Sequence, residues 1–211
     1  MKIHDCEQRT EEWHRLRAGV PTASEFSKLV TSKGEPSKSM EKYAVTLAAE
    51  VMAGGPVDAW QGNAHTERGA ILEPEAISLY EFVHGATVEP VGFVTSDCGR
   101  WGCSPDGLVG DDGMVEVKCL KAENHIEAVL YYEKNERPQT TYIQQTQGQM
   151  YICERQWCDL IFYHPVLPLL VIRETPILDV VAGLVTQLAD VLQERDRIVA
   201  ILKKSKMEKA A

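Results

Sequence analysis

The chain has 211 residues, of which 44% are hydrophobic and 25% charged, and its formal net charge is -9 at pH 7. That length predicts one domain over residues 1–211, and no apolar run approaches the roughly 20 residues of a membrane span, so we expect an intracellular, cytoplasmic protein without membrane contact. The acidic balance argues against a protein-wide basic surface, so any contact to DNA has to come from a local patch.

The pattern around Thr22 predicts a helix with an anion site at its start. Thr22 and Glu25 have the spacing of a capping box, so we predict a helix over residues 22–30. Ser24 then lies in the first turn, where backbone N–H groups lack partners and the helix dipole is positive. Arg17 lies a few residues upstream, and its guanidinium fork can fold back onto a phosphate bound there. The alternative is that Arg17 pairs with a surface acid and Thr22 merely begins a helix.

Two further helices are predicted before the first strands. Apolar residues recur at helical spacing over residues 40–51, and another helix is expected over residues 70–80, where Pro74 either bends it or lies in its first turn. On that helix Glu73 has apolar neighbours three and four residues away, so its carboxylate can point into a partly dry site as a metal-directed acid. An ordinary solvated glutamate is the alternative.

Short segments rich in β-branched residues follow. We predict strands over residues 91–94, 107–109 and 114–118, with a glycine-rich turn at residues 110–113 between the last two. The last two strands should therefore form a hairpin.

This hairpin places two carboxylates and an amine around one point. Asp106 precedes the first strand, and Glu116 and Lys118 project from one face of the second because side chains alternate along a strand. Carboxylate oxygens suit hard cations such as Mg²⁺, and the lysine can position or deprotonate a water. The spacing of Pro105-Asp106 and Glu116-Val117-Lys118 resembles the PD-(D/E)xK nuclease signature. A surface hairpin with ordinary charges is the alternative.

The second half of the chain adds helices and strands. Helical patterns cover residues 123–133 and 141–153, strands are predicted over residues 159–164 and 169–173, and a long apolar helical spacing covers residues 177–202. Together with the preceding elements, they predict a mixed α/β fold.

The helix over residues 141–153 carries a run of glutamines. Glutamine side chains both donate and accept, so we predict that Gln147 and Gln149 contact phosphate or base edges of DNA without adding charge. A polar outer face is the alternative. Gly148, which costs roughly 1 kcal/mol relative to alanine inside a helix, indicates that another group approaches closely.

Four ordered sequence blocks carry a family resemblance. They are Trp13–Ser24, Gly69–Ala76, Cys103–Gly107 with Glu116–Lys118, and Gln145–Met150. Over most of its length the sequence is similar to phage λ-exonuclease-type proteins, often grouped with YqaJ-like viral recombinases. The resemblance implies a restriction-endonuclease-like core, with a mixed central β-sheet flanked by helices and a long C-terminal helix.

The resemblance also implies an activity and its setting. It implies Mg²⁺-dependent digestion of one strand of linear double-stranded DNA from its 5′ end, which leaves 3′ single-stranded tails for phage-type recombination. Two Mg²⁺ ions per site, replaceable by Mn²⁺, a ring-shaped homotrimer and a single-strand annealing protein as partner are expected, in a bacterial cell that hosts a phage or prophage. Two alternatives remain: an endonuclease or junction resolvase on the same core, and a non-catalytic scaffold that binds DNA ends.

Residue by residue, the resemblance implies two groups of site residues. The implied metal ligands are Asp106, Glu116, the Val117 carbonyl and Glu73. The implied pocket for the terminal 5′ phosphate consists of Arg17, Ser24, Ser104 and Gln145. Lys118 lies at the attacking water, and we expect it to orient that water because a free lysine has a pKa of about 10.4.

Overall fold

The chain builds two β-sheets and a layer of helices, in a computed structural model that describes residues 1–57 and 64–208. Within these ranges the elements in chain order are β1 (Lys2–His4), α1 (Glu11–Arg17), a 3-10 helix (Ala23–Lys28), α2 (Met40–Ala53), α3 (Ala64–His84), β2 (Phe93–Thr95), β3 (Gly102–Cys103), β4 (Gly107–Val109), β5 (Gly113–Cys119), α4 (Ala122–Asn135), α5 (Ile143–Cys153), β6 (Trp157–Tyr163), β7 (Leu170–Glu174) and α6 (Leu178–Glu208). The predicted mixed α/β class, with a long last helix, is confirmed.

The larger sheet has the strand order β4-β5-β6-β7. β5 pairs antiparallel with β4 and parallel with β6, and β7 pairs antiparallel with β6. Parallel neighbours require a long crossover, which α4 and α5 supply between β5 and β6. The predicted hairpin is therefore present as β4 and β5, and the smaller sheet has the order β1-β2-β3.

Side chains of β5 alternate between two layers. Val115 and Val117 pack with Tyr80 of α3. Met114 joins the core on the opposite face, and Glu116 on that face contacts α5. Strand alternation thus places one acidic side chain against the helix that carries the glutamines.

The largest core cluster joins the helices to the sheets. α2 packs against α6, and α5 packs against both the 3-10 helix and α6. None of the helices in the described ranges combines the length and apolar composition that a bilayer crossing requires. The fully buried side chains of this cluster include Phe26, Leu29, Met150, Leu184 and Leu188.

Two local predictions differ from the structure. The segment after Thr22 is a 3-10 helix, and the Thr22 side chain does not cap it. The Thr22 N–H instead donates to the Tyr43 hydroxyl at 3.1 Å, a long-range contact that replaces the predicted capping box. Pro74 lies inside α3, so the alternative that placed it in the first turn is wrong.

The close approach predicted at Gly148 comes from Phe26. A Cβ atom added at Gly148 would lie 2.2 Å from Cδ2 of this fully buried ring. We expect Gly148→Ala to lower the free energy of unfolding by about 1–2 kcal/mol, because overpacking outweighs the gain in helix propensity. Urea unfolding at constant m value measures the change.

Gly69 is the matched control for this prediction. It also lies inside a helix, α3, and among the described residues an added Cβ meets nothing within 4 Å. Gly69→Ala should therefore raise the free energy of unfolding by up to about 1 kcal/mol. Equal effects of the two substitutions would contradict the role of the Phe26 contact.

Candidate active site

Asp106 is fixed beside β5 by two backbone contacts. Its N–H donates to the Val115 carbonyl at 3.2 Å, and its Oδ2 accepts from the Val117 N–H at 2.6 Å. The start of β4 therefore holds this carboxylate against the strand that carries Glu116 and Lys118.

Glu116 is a buried carboxylate surrounded by donors. Its Oε1 accepts from Lys118 Nζ at 2.6 Å and from Gln145 Nε2 at 2.7 Å, and its Oε2 accepts from Gln149 Nε2 at 2.7 Å. Lys118 also donates to Gln145 Oε1 at 3.0 Å. The structure thus brings Asp106, Glu116, Lys118 and Gln145 together as one polar cluster.

Lys118 carries the positive charge of this cluster. Burial alone would lower the pKa of its amine, but the nearby carboxylates of Glu116 and Asp106 offset burial, and the net direction is a raised pKa. Lys118 is therefore an ammonium group at neutral pH in this arrangement. It can donate a hydrogen bond to a water, and its role at an attacking water stays a prediction.

Negative charge is in excess around Asp106. Burial raises the pKa of the Asp106 carboxyl well above its ordinary value, and the charges of Glu116 and Glu73 raise it further, while Lys118 opposes the shift. A cation would relieve this repulsion. Carboxylate oxygens and the Val117 carbonyl are hard oxygen donors of the kind that Mg²⁺ takes. The residues present therefore fit the predicted metal.

The acidic side chains of the described residues are not gathered into a preformed metal site. Across residues 1–57 and 64–208, no group of three or more His, Cys, Asp or Glu side chains is gathered closely enough to hold a metal ion. Glu73 is instead paired with Arg9, whose Nη2 donates to Glu73 Oε2 at 2.7 Å. Protein donors thus contact both Glu116 and Glu73.

Arg17 bonds to hydroxyl groups and has no acidic partner among the described residues. Its guanidinium lies 4.1 Å from the centroid of the Trp13 ring and donates to the hydroxyls of Thr22 and Ser24, each at 3.3 Å. Burial lowers the pKa of Arg17. No carboxylate in the described part of the chain makes a salt bridge with it, so the alternative that Arg17 pairs with a surface acid is wrong.

Ser104 lies beside Trp13 in the same pocket. Its Oγ accepts from Trp13 Nε1 at 2.8 Å. Trp13 therefore supports both Arg17 and Ser104, a role that sequence reasoning missed. The only signal was an aromatic residue four positions before Arg17, on the same side of a short helix.

The predicted phosphate residues and two of the predicted metal ligands line one cavity of about 550 Å³. A second cavity of about 340 Å³ lies beyond it and shares Arg9, Asp106 and Glu116 with the first. The first contains the predicted phosphate residues together with two carboxylates: Arg17, Ser24, Ser104, Gln145, Asp106 and Glu116. The second contains the remaining predicted metal and water residues: Glu73, Val117 and Lys118.

Gln147 and Gln149 both point inward from α5, and Gln149 lines the first cavity. Gln147 is 0% exposed, its Nε2 donates to the Thr175 carbonyl at 3.0 Å and its Oε1 accepts from the Ile177 N–H at 2.6 Å. Gln149 is 1% exposed and holds Glu116. Tertiary packing uses both amides internally, and the contact of these two side chains with DNA stays a prediction.

A glycine loop after α1 is clamped from two sides. The Gly19 N–H donates to Glu50 Oε2 at 2.7 Å, and the Gly19 carbonyl accepts from Arg195 Nη1 at 2.6 Å. Its φ of 73° lies in the left-handed region that favours glycine. These contacts position the chain next to Arg17, and their partners lie too far away in sequence to be inferred from it.

Comparisons with known proteins bear on the family and the fold. The model of the YqaJ-like viral recombinase domain matches residues 12–156. The structure of an alkaline exonuclease (LHK-Exo) from Laribacter hongkongensis is similar, with 33% identity, a TM-score of 0.82, and 96% of this chain and 100% of that chain covered. LHK-Exo in complex with dAMP gives the same values.

A second solved protein shares the fold. The phage related exonuclease from Haemophilus somnus 129PT has 14% identity and a TM-score of 0.68, with 87% of this chain and 96% of that chain covered. No curated protein sequence matches the chain.

Proposed function

Because the chain belongs to the YqaJ-like viral recombinase family, we propose that it is a nuclease that digests one strand of linear double-stranded DNA from its 5′ end, leaving 3′ single-stranded tails. One observation carries the direction: the anion site at Arg17 and the carboxylates of Asp106 and Glu116 share a single cavity. A terminal phosphate bound at Arg17 would bring the adjacent phosphodiester to the carboxylates.

The phosphate pocket supports recognition of a chain end. The Arg17 guanidinium is partly buried and has hydroxyl groups, not carboxylates, as partners. A terminal phosphate carries more negative charge than an internal phosphodiester, so it is the better ligand for such a site. LHK-Exo has been solved with dAMP, and we propose a nucleoside 5′-monophosphate of this kind as the product here.

The carboxylate cluster supports a divalent metal. We propose that Asp106, Glu116, the Val117 carbonyl and Glu73 hold Mg²⁺, two ions per site, with Mn²⁺ as a substitute. When bound, Mg²⁺ stabilises the negative charge that develops on the attacking and leaving oxygens. Lys118, fixed by Glu116 and Gln145, orients the attacking water.

The oligomeric state and partners are a further part of the proposal. Phe82 on α3 is 86% exposed and Leu130 on α4 is 63% exposed, so both are available for contacts between subunits. We propose the trimer, a single-strand annealing protein as partner and a cytoplasmic site of action in a phage or prophage host. Analytical ultracentrifugation tests the trimer directly.

The experiment that tests this function is digestion of linear duplex DNA labelled separately at each 5′ end, with Mg²⁺ or with a chelator. We expect Mg²⁺-dependent release from the 5′ ends by the wild type. Glu116→Ala should lose this activity because it removes the acceptor for Lys118, Gln145 and Gln149. Glu133→Ala, an exposed change on α4, is the control and should digest like the wild type.

Two outcomes would favour the alternatives. Binding of DNA ends without release in Mg²⁺ would favour the non-catalytic scaffold. Cleavage of covalently closed circular DNA would favour an endonuclease or junction resolvase, because such DNA has no end for Arg17 to bind.

A further inference from the structure

Arg9 occupies the border between the two cavities. It lines both of them, together with Asp106 and Glu116. Its guanidinium is bound to Glu73 at 2.7 Å, with side chains that are 42% and 23% exposed. A DNA strand that runs from the second cavity to the phosphate pocket of the first must pass this side chain.

The backbone holds Arg9 at this border. Its φ is 71°, a left-handed conformation that is unfavourable for a residue with a Cβ atom. Gln8 fixes the preceding position, because its Nε2 donates to the Val91 carbonyl at 2.9 Å and the Pro105 carbonyl at 3.0 Å. Thr10 fixes the following position by capping α1. The strained residue is thus anchored to the segment that precedes Asp106, and strain of this kind is common at functional sites.

Arg9 can exchange its partner, the Glu73 carboxylate, for a phosphate group. Solvent screens a partly exposed ion pair, so its net stabilisation is small. The guanidinium fork matches a phosphate as well as it matches a carboxylate. Glu73 contributes to the excess of negative charge around Asp106, and a cation would offset it in place of Arg9.

We propose that Arg9 is a further substrate-binding residue, which leaves Glu73 for a backbone phosphate of the strand that passes between the two cavities. This proposal rests on the proposed exonuclease function. The exchange frees the Glu73 carboxylate, so binding of DNA promotes binding of the divalent cation at the same site. Arg9 therefore keeps Glu73 neutralised until the substrate arrives.

The test uses Arg9→Gln, which keeps a Cβ atom and a polar side chain but removes the charge. With a 5′-phosphorylated duplex in chelator, DNA affinity should fall about 10-fold through loss of a charge-assisted hydrogen bond. The slope of log affinity against log salt should become shallower by about 1. Titration calorimetry of Mg²⁺ without DNA should show tighter binding, because the cation that competes for Glu73 is gone.

Arg15→Gln is the matched control. Arg15 is an exposed arginine on α1 that lines neither cavity, so its loss removes the same charge nearby. It should leave the Mg²⁺ affinity at the wild-type value and change DNA affinity less than Arg9→Gln does.

The outcomes separate this proposal from the function on which it rests. A wild type that digests DNA, with Arg9→Gln equal to it in DNA affinity and salt slope, would overturn the role of Arg9 alone. Weaker Mg²⁺ binding by Arg9→Gln would also overturn it, since Arg9 would then position Glu73 permanently. A wild type that neither digests nor binds linear DNA would overturn the proposed function itself.

Discussion

Asp106→Asn is expected to abolish digestion and to stabilise the metal-free protein at the same time. Asparagine keeps an oxygen for the Val117 N–H but removes a charge that burial, Glu116 and Glu73 all disfavour. Activity should fall more than about 100-fold, beyond the usual cost of losing an outer partner of a metal site. The midpoint of thermal unfolding in chelator should rise by at least about 2 °C.

The stabilisation by Asp106→Asn should depend on pH. The pKa of Asp106 is raised in the folded chain, so ionisation of this carboxyl favours unfolding. The destabilisation of the folded wild type by this ionisation is absent below the ordinary aspartate pKa. It grows as the pH rises towards the raised pKa of Asp106 and is complete above that pKa. The difference in melting temperature between wild type and Asp106→Asn should therefore be largest at alkaline pH and vanish in acid.

Asp111→Asn is the control, because Asp111 lies in the exposed turn between β4 and β5. It should change neither activity nor the pH dependence of melting. A destabilised Asp106→Asn protein at alkaline pH would show that Asp106 is a structural acid and would refute the metal assignment. Calorimetry with Mg²⁺ provides a readout independent of activity.

Arg17→Ala is expected to remove the preference for 5′-phosphorylated over 5′-hydroxyl ends. The guanidinium has no carboxylate partner among the described residues, so its charge is available to a terminal phosphate. Loss of charge-assisted hydrogen bonds should lower kcat/KM on phosphorylated ends about 10–100-fold, with a much smaller effect on hydroxyl ends. Rate measurements on the two substrates, made in parallel, give the ratio of kcat/KM on 5′-phosphorylated ends to kcat/KM on 5′-hydroxyl ends.

Two further variants are controls for Arg17→Ala. Arg17→Lys keeps the charge and should retain part of the preference, although it loses the planar fork over Trp13. Arg15→Ala should retain all of it. An equal loss on both substrates would show that Arg17 supports the fold of the pocket and does not read the terminal phosphate.

The predictions from sequence succeeded where the signal is local. Strand alternation placed Glu116 and Lys118 on one face, and the structure joins their side chains at 2.6 Å. Helical spacing predicted α2, and the glycine inside α5 correctly indicated a close neighbour. In these cases the period of the apolar residues or the lack of a Cβ atom carries the information.

The sequence was misleading where a distant partner decides the outcome. Thr22 matches a capping box, yet Tyr43 and Arg17 take its hydrogen bonds. Gln147 is a polar residue of the kind that usually lies on a surface. The chain before α6 covers it, because the Ile177 N–H donates to its Oε1. Short elements such as α1 and β3 contain too few residues for a period to show, so only tertiary pairing defines them.

The clamp on Gly19 has a consequence for protein synthesis. Arg17 and Ser24 leave the ribosome early, but the guanidinium that holds the Gly19 carbonyl belongs to Arg195. Gln145 lies on α5, and strand β6, which pairs with β5, is synthesised after α5. Chains emerge from the N-terminus at about 5–20 residues per second. A nascent chain therefore carries Arg17 and Ser24 for many seconds before Arg195 can reach the Gly19 carbonyl, so we expect the predicted phosphate pocket to form only after α6 is made.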